Sequence, residues 1–220
     1  MSRKLVAFNG SIRKGGNTSI LLEYFLKGAR TQACIAEVYN VHELHLEYCR
    51  GCLRCNLLGY CSVRNDDWAH VAENILEADV LVFATPVYFH HVSASMKKLI
   101  DRFRSFVKVQ ITDTGLMHTP HITWKKDFVL LLTMGSSDPA EADPVVDLFN
   151  YMTTMLGPEN KLYSITATRL AVVNQLLKTK EELTELYKKL KLPVYLAEED
   201  TVKNHELLDK ATDLGDRLHT

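Results

Sequence analysis

Four of the five cysteines fall within thirteen residues, in the run Cys49-Arg50-Gly51-Cys52-Leu53-Arg54-Cys55-Asn56-Leu57-Leu58-Gly59-Tyr60-Cys61. Three thiols at steps of three can close on one small inorganic core, and compact C-x2-C-x2-C runs are a spacing that holds iron–sulfur clusters. Gly51 and Gly59 let the backbone bend around such a core. A cluster on Cys49, Cys52, Cys55 and Cys61 would make the chain an electron-transfer device. Two other readings stay open. Structural zinc takes ligand pairs separated by a longer stretch, which three cysteines in seven residues fit poorly. The third reading is four free thiols without metal. Arg50, Arg54 and Arg64 lie close in sequence, and cations near a negatively charged cluster raise its potential, so these three are expected to tune it. Cys34, in the predicted second strand, reads as a small buried hydrophobe.

A second constellation is Asn9-Gly10-Ser11-Ile12-Arg13-Lys14-Gly15-Gly16-Asn17-Thr18. It offers hydroxyls at Ser11 and Thr18, a guanidinium at Arg13, and the unpaired N–H groups of a helix start, where the dipole favours anions. Arg13 can add a charge-assisted pair. The loop has neither the Gly-Lys-Ser/Thr of a P-loop nor a G-x-G-x-x-G. It reads as a site for one phosphate monoester, the alternative being an ordinary strand–helix connection with Asn17 as N-cap.

These residues need elements to hold them. Leu5 to Phe8, Ile35 to Val41, Val80 to Ala84, Phe128 to Thr133 and Leu162 to Thr166 read as strands. Thr18 to Ala29, Asp66 to Ala78, Ser93 to Phe106 and Pro144 to Leu156 read as helices, and the cysteine segment as a loop. Apolar strands alternating with amphipathic helices predict a parallel sheet covered on both faces, with ligands at the strands' carboxyl ends. The loops Asn9 to Asn17, Thr85 to Val92 and Met134 to Asp138 leave those ends. Beyond about Leu170 the pattern changes. Thr179-x-x-Glu182 is a capping box opening one helix, and Val202 to Leu218 reads as another. The expected organisation is a domain over residues 1–170, carrying the cysteine loop at 49–61. A helical extension over 171–220 follows, packed on the domain or on a neighbouring subunit.

Composition sets outer limits. The chain has 220 residues, 46% hydrophobic and 24% charged, with a formal net charge of −1. This is an ordinary globular balance without the basic footprint of a nucleic-acid binder. The apolar run Val80 to Phe89 is too short to cross a bilayer, and the N-terminus lacks the apolar stretch of a signal peptide. A cytoplasmic location is expected, where cysteines favour metal or redox chemistry over disulfides.

Four segments together bring a family into view. Gly10-Ser11-x-Arg13-x-x-Gly16-Asn17-Thr18 resembles the FMN-phosphate loop of flavodoxin-like NAD(P)H-dependent FMN reductases, and Ala78-Asp79-x5-Thr85-Pro86-Val87-Tyr88-Phe89 their second flavin loop. Ser95-Met96-Lys97-Lys98-Leu99-Ile100-Asp101-Arg102 is similar to their next helix. Cys49-x-Gly51-Cys52-x2-Cys55-x3-Gly59-x-Cys61-x4-Asp66-Asp67 resembles the iron–sulfur flavoprotein branch. The resemblance covers about residues 4 to 170.

It implies an α/β, doubly wound, flavodoxin-like five-stranded parallel sheet with a C-terminal helical extension. It also implies FMN held at its phosphate by Ser11, Arg13, Asn17, Thr18 and Ser19. Thr85, Pro86, Val87, Tyr88 and Phe89 would line the isoalloxazine ring, with backbone N–H groups toward its polar edge, and Thr133, Met134 and Gly135 would form a third wall. The chain departs from the family in two places. His90 and His91 stand where a glycine often follows, and Ser93 where many relatives have proline. His90 and His91 could donate to flavin or substrate, or simply face solvent, and no residue is assigned as catalytic acid or base. Trp68 reads as packing.

The expected function is an FMN-dependent oxidoreductase taking a hydride from NAD(P)H, its transient co-substrate. It would pass electrons through a [4Fe-4S] cluster to a small-molecule or protein acceptor, as a homodimer or homotetramer. The alternatives are a cluster-free reductase of flavin, quinones or nitro compounds, and a non-enzymatic FMN/Fe–S electron carrier.

Overall fold

The computed structural model describes residues 3–30 and 35–218. Strands β1 (Lys4–Asn9), β3 (Val80–Pro86) and β6 (Asp127–Thr133) are buried along nearly their whole length, as their continuous apolar sequences require. With β2 (Ile35–Asn40) and β7 (Lys161–Ala167) they form a five-stranded sheet in the order β2-β1-β3-β6-β7. All four pairings are parallel. This is the flavodoxin-like winding, with its switch point between β1 and β3.

Alternate strand residues feed two cores. On one face Leu5, Ala7, Val80, Val82 and Val129 pack against α1 (Asn17–Arg30) and α7 (Leu196–Arg217). On the other, Phe8, Phe83, Phe128 and Leu130 pack under α3 (Trp68–Glu77), α4 (Ala94–Arg102) and α5 (Asp143–Leu156). The capping box at Thr179 and Glu182 opens α6 (Lys180–Leu190) with both reciprocal bonds made. Among the described residues no helix is long and apolar enough to cross a membrane.

The structure revises several expected boundaries. The helix expected over Ser93 to Phe106 stops at Arg102 and tightens into a 3-10 turn, Phe103–Phe106. The cysteine loop contains one helical turn, α2 (Cys55–Leu58). The helix expected from Asp66 begins at Trp68, and the last helix begins at Leu196 rather than Val202. An antiparallel ribbon, β4 (Val107–Thr112) and β5 (Gly115–Pro120), had no counterpart in the sequence reading. Cys34 lies outside the described residues.

Candidate functional site

At the carboxyl end of the sheet a recess of about 50 Å³ is lined by Ser11, Arg13, Gly16, Asn17, Thr18, Pro86, Val87, Tyr88, Thr133, Met134, Gly135 and Leu170. The three loops expected to converge there do so, and the recess has room for a compact anionic group. Three residues expected at the site, Ser19, Thr85 and Phe89, do not line it. Leu170, from the segment after β7, does. No periodicity or motif in the sequence marks Leu170.

The loop is organised from within. The Asn9 amide donates to Ser19 Oγ at 3.0 Å and Asn40 Oδ1 at 3.2 Å, while its oxygen accepts the Ser11 N–H at 3.1 Å. Ser11 Oγ accepts the Arg13 N–H. The bond from Ile20 N–H to the Gly16 carbonyl closes the first turn of α1. The N–H groups before it have no intrahelical acceptor and make the turn attractive to an anion. Arg13 is exposed above it.

Asn17 and Thr18 are committed elsewhere through their side chains. Asn17 Oδ1 accepts the N–H groups of Gln175 at 2.8 Å and Leu176 at 3.2 Å, and its Nδ2 donates to the Val172 carbonyl at 2.8 Å. Thr18 Oγ1 lies 2.6 Å from Thr133 Oγ1, both buried. Only their backbone N–H groups are left for a ligand.

The second loop is a tight turn. Tyr88 and His91 exchange backbone bonds of 2.9 and 3.0 Å, with Phe89 at φ 49° and His90 at φ 59° between them. Positive φ at position 90 suits glycine, which accounts for the residue the family often carries there. The Val87 N–H donates to the Thr133 carbonyl, so the N–H groups of Val87 and Tyr88 are both already paired. His91 Nδ1 accepts the Val92 N–H at 3.0 Å, which puts the proton of a neutral ring on Nε2. Ser93 caps α4, and its Oγ donates to the Gly10 carbonyl at 2.7 Å, tying the first loop to the second.

The cysteine loop lies at the far end of α4. Cys49, Cys52, Cys55 and Cys61 line one recess of about 20 Å³ together with Arg50, Arg102 and Arg104. Gly51 and Gly59 have φ of 61° and 75°, the left-handed bends expected of them. Cys49 and Cys52 are exposed, Cys61 half-buried and Cys55 buried. The Arg54 N–H and the Ser62 hydroxyl hold the Cys52 thiol below its ordinary pKa, whereas burial pushes Cys55 up against the pull of Arg104. Among the described residues no three His, Cys, Asp or Glu side chains come together around one metal ion.

Two carboxylates, a buried one on Asp66 and an exposed one on Asp67, hold this loop to the start of α3. Asp66 Oδ2 accepts the Glu47 N–H at 2.8 Å, and Asp67 Oδ2 accepts that of His45 at 2.7 Å. Asp66 also pairs with Arg102, each side chain at most 1% exposed. Trp68 is packing, as expected: 2% exposed, its indole N–H donating to Ser105 Oγ at 3.2 Å. Asn56, on α2, exchanges two bonds with the Val109 backbone and thereby clamps the β4–β5 ribbon to the loop.

An anion-binding turn at the switch point of this winding order is where flavodoxin-like proteins seat FMN. The sequence profile of the NADPH-dependent FMN reductase family matches residues 3–158, and the chain belongs to that family. It is 41% identical over 101 residues to an iron–sulfur flavoprotein of Archaeoglobus fulgidus, a stretch covering 46% of this chain and 49% of that protein. The chain thus spans about half the length of the iron–sulfur flavoproteins it first matches. A putative NAD(P)H-dependent FMN-containing oxidoreductase of Bacillus subtilis, YwqN, is 32% identical over 161 residues, covering 73% of this chain and 82% of that one. Among solved structures, an NAD(P)H:quinone oxidoreductase from Methanothermobacter marburgensis aligns with a TM-score of 0.66 at 14% identity, covering 100% and 98% of the two chains. An azoreductase from Bacillus anthracis str. Sterne gives 0.62 at 17% identity, covering 98% and 99%. At such identity these two show the fold alone.

Proposed function

We propose that the chain is an FMN-dependent oxidoreductase that takes electrons from NAD(P)H and passes them on through a [4Fe-4S] cluster. The convergence of ten of the thirteen expected flavin residues on one recess carries the flavin half of this reading. FMN, when bound, supplies the ability to accept two electrons and release them singly. The protein's part is placement. The first-turn N–H groups of α1, the Ser11 hydroxyl and Arg13 would hold the phosphate. The turn over residues 88–91 and the Thr133-to-Gly135 wall would hold the ring.

Four cysteines around one recess support the cluster half. A single zinc needs its sulfurs about 2.3 Å from one point; a cubane core keeps its thiolates farther apart because iron and sulfide lie between them. Cys49, Cys52, Cys55 and Cys61 would hold that core, which supplies single-electron transfer. The acceptor is a small molecule or protein, the assembly a homodimer or homotetramer, and the location cytoplasmic.

Two measurements test this. FMN titration of the apoprotein should give tight binding that Arg13→Ala weakens about tenfold, the scale of one charge-assisted hydrogen bond; a protein that does not bind FMN refutes the flavin reading. Anaerobically purified protein should carry about four irons and four sulfides per chain. Finding neither, with the flavin still bleached by NADPH, selects the cluster-free reductase. Bleaching only through a reductase protein selects the carrier.

A further inference from the structure

The three arginines that sequence proximity nominates, Arg50, Arg54 and Arg64, are all exposed, and the Arg64 guanidinium lies over the Tyr60 ring at 5.1 Å. Arg50 lines the cysteine recess from its exposed side, whereas Arg102, the last residue of α4, and Arg104, in the 3-10 turn after it, donate directly to sulfurs. Arg102 is 1% exposed; it donates to Cys61 Sγ at 3.4 Å and to the Glu47 carbonyl at 2.7 Å. Its Nε is buried with no hydrogen-bond partner. Arg104 donates to Cys55 Sγ at 3.6 Å, to the Val107 carbonyl at 2.8 Å and to Asn56 Oδ1 at 3.0 Å.

The two differ in net charge. Arg102 is matched by buried Asp66. Arg104 has no carboxylate partner among the described residues, and the groups it faces are a thiol, an amide oxygen and a carbonyl. Its half-buried charge acts on the sulfurs with far less screening than an exposed arginine's.

We propose that Arg104, seated by Asn56 and the Val107 carbonyl, supplies the positive charge that stabilises the four-thiolate site and raises the potential of the cluster it holds. The proposal rests on the cluster reading above. Both arginines act through the sulfurs and are positioning residues.

The experiment uses the full chain, reconstituted anaerobically with iron and sulfide, as wild type, Arg104→Gln, Arg104→Lys and Arg50→Gln. Iron, sulfide and FMN are counted per chain, and the cluster is titrated against a redox poise by electron paramagnetic resonance. Arg104→Gln should lower the reduced-to-oxidised ratio at fixed poise about tenfold, ~59 mV for one electron. Arg104→Lys should restore it to within about threefold, and exposed Arg50→Gln should shift it less than about threefold. If Arg104→Gln keeps FMN but loses iron while Arg104→Lys keeps both, retention carries the same conclusion. An unchanged potential in a cluster-bearing Arg104→Gln overturns the proposal. So does an equal shift in Arg50→Gln, or a lysine variant that behaves like the glutamine one. Wild type without iron and sulfide removes the cluster reading and this proposal together.

Discussion

Asp66 is the residue from which the cysteine loop hangs. Its oxygens accept the N–H groups of Glu47 and Trp68 and pair with Arg102. Burial pushes its carboxyl up, but the Arg102 hydrogen bond, the Glu47 N–H and the Arg102 charge outweigh that and hold it below the usual value. The unfolded chain therefore binds the proton more readily than the folded one. The stabilisation is present above the unfolded value of about 3.9 and is lost as pH falls through the lower folded value. Asp66→Asn leaves Arg102 buried without its counter-charge and should cost about 3–5 kcal/mol at pH 7. In urea unfolding the gap to wild type should narrow below about pH 4; a gap independent of pH would contradict this account. Phe89 poses the opposite case. A bulky residue at φ 49° with a fully exposed ring gains nothing from the fold of this chain alone. Phe89→Asn, which tolerates that backbone, should raise apoprotein stability by about 0.5–1 kcal/mol in thermal unfolding. Destabilisation there would mean that the ring packs on something in solution.

At the scale of elements, α1 and α7 approach each other backbone to backbone at two glycines. A Cβ on Gly215 would sit 2.1 Å from the Phe25 carbonyl oxygen, and one on Gly28 1.9 Å from that of Thr212. Backbone cannot yield as a side chain tip can, so Gly215→Ala should destabilise by about 1–3 kcal/mol. Wild-type thermal stability in that variant would show that the helices do not pack this tightly. Helix α4 has a different task. Its N-cap Ser93 holds Gly10 of the anion loop, and Arg102 at its other end reaches the cysteines. One rigid helix thus joins the two candidate sites. The capping box before α6 was legible because both partners lie within four residues. The β4–β5 ribbon was not. It is largely exposed, and it is held by Asn56, about fifty positions upstream.

At the scale of the whole molecule, the C-terminal segments reach back to the anion loop. Asn17 grips the backbone of residues 172–176, and Gln175 Nε2 donates to Tyr187 Oη at 3.2 Å. Tyr187 Oη donates to Asp200 at 2.6 Å, and Asp200 pairs with Arg169 and Lys203. Asn17→Ala leaves the Gln175 and Leu176 N–H groups unpaired and should cost about 1–3 kcal/mol. Hydrogen exchange should accelerate at residues 171–177 and stay unchanged in β1, β3 and β6. Uniform acceleration would mean that Asn17 serves global stability and not this joint.

The alternation of the five sheet strands with helices and the two chemically equipped loops could be read from the chain itself, and the family resemblance implied the flavodoxin-like winding. Apolar periodicity and short motifs are local, and each speaks for its own few residues. Only tertiary structure decided which arginines face the thiols, that Asn17 serves the C-terminal segment, and that Leu170 walls the anion recess. Those contacts join residues 41 to 159 positions apart. Nothing in local spacing specifies which distant side chains will meet once the sheet has brought its loop ends together.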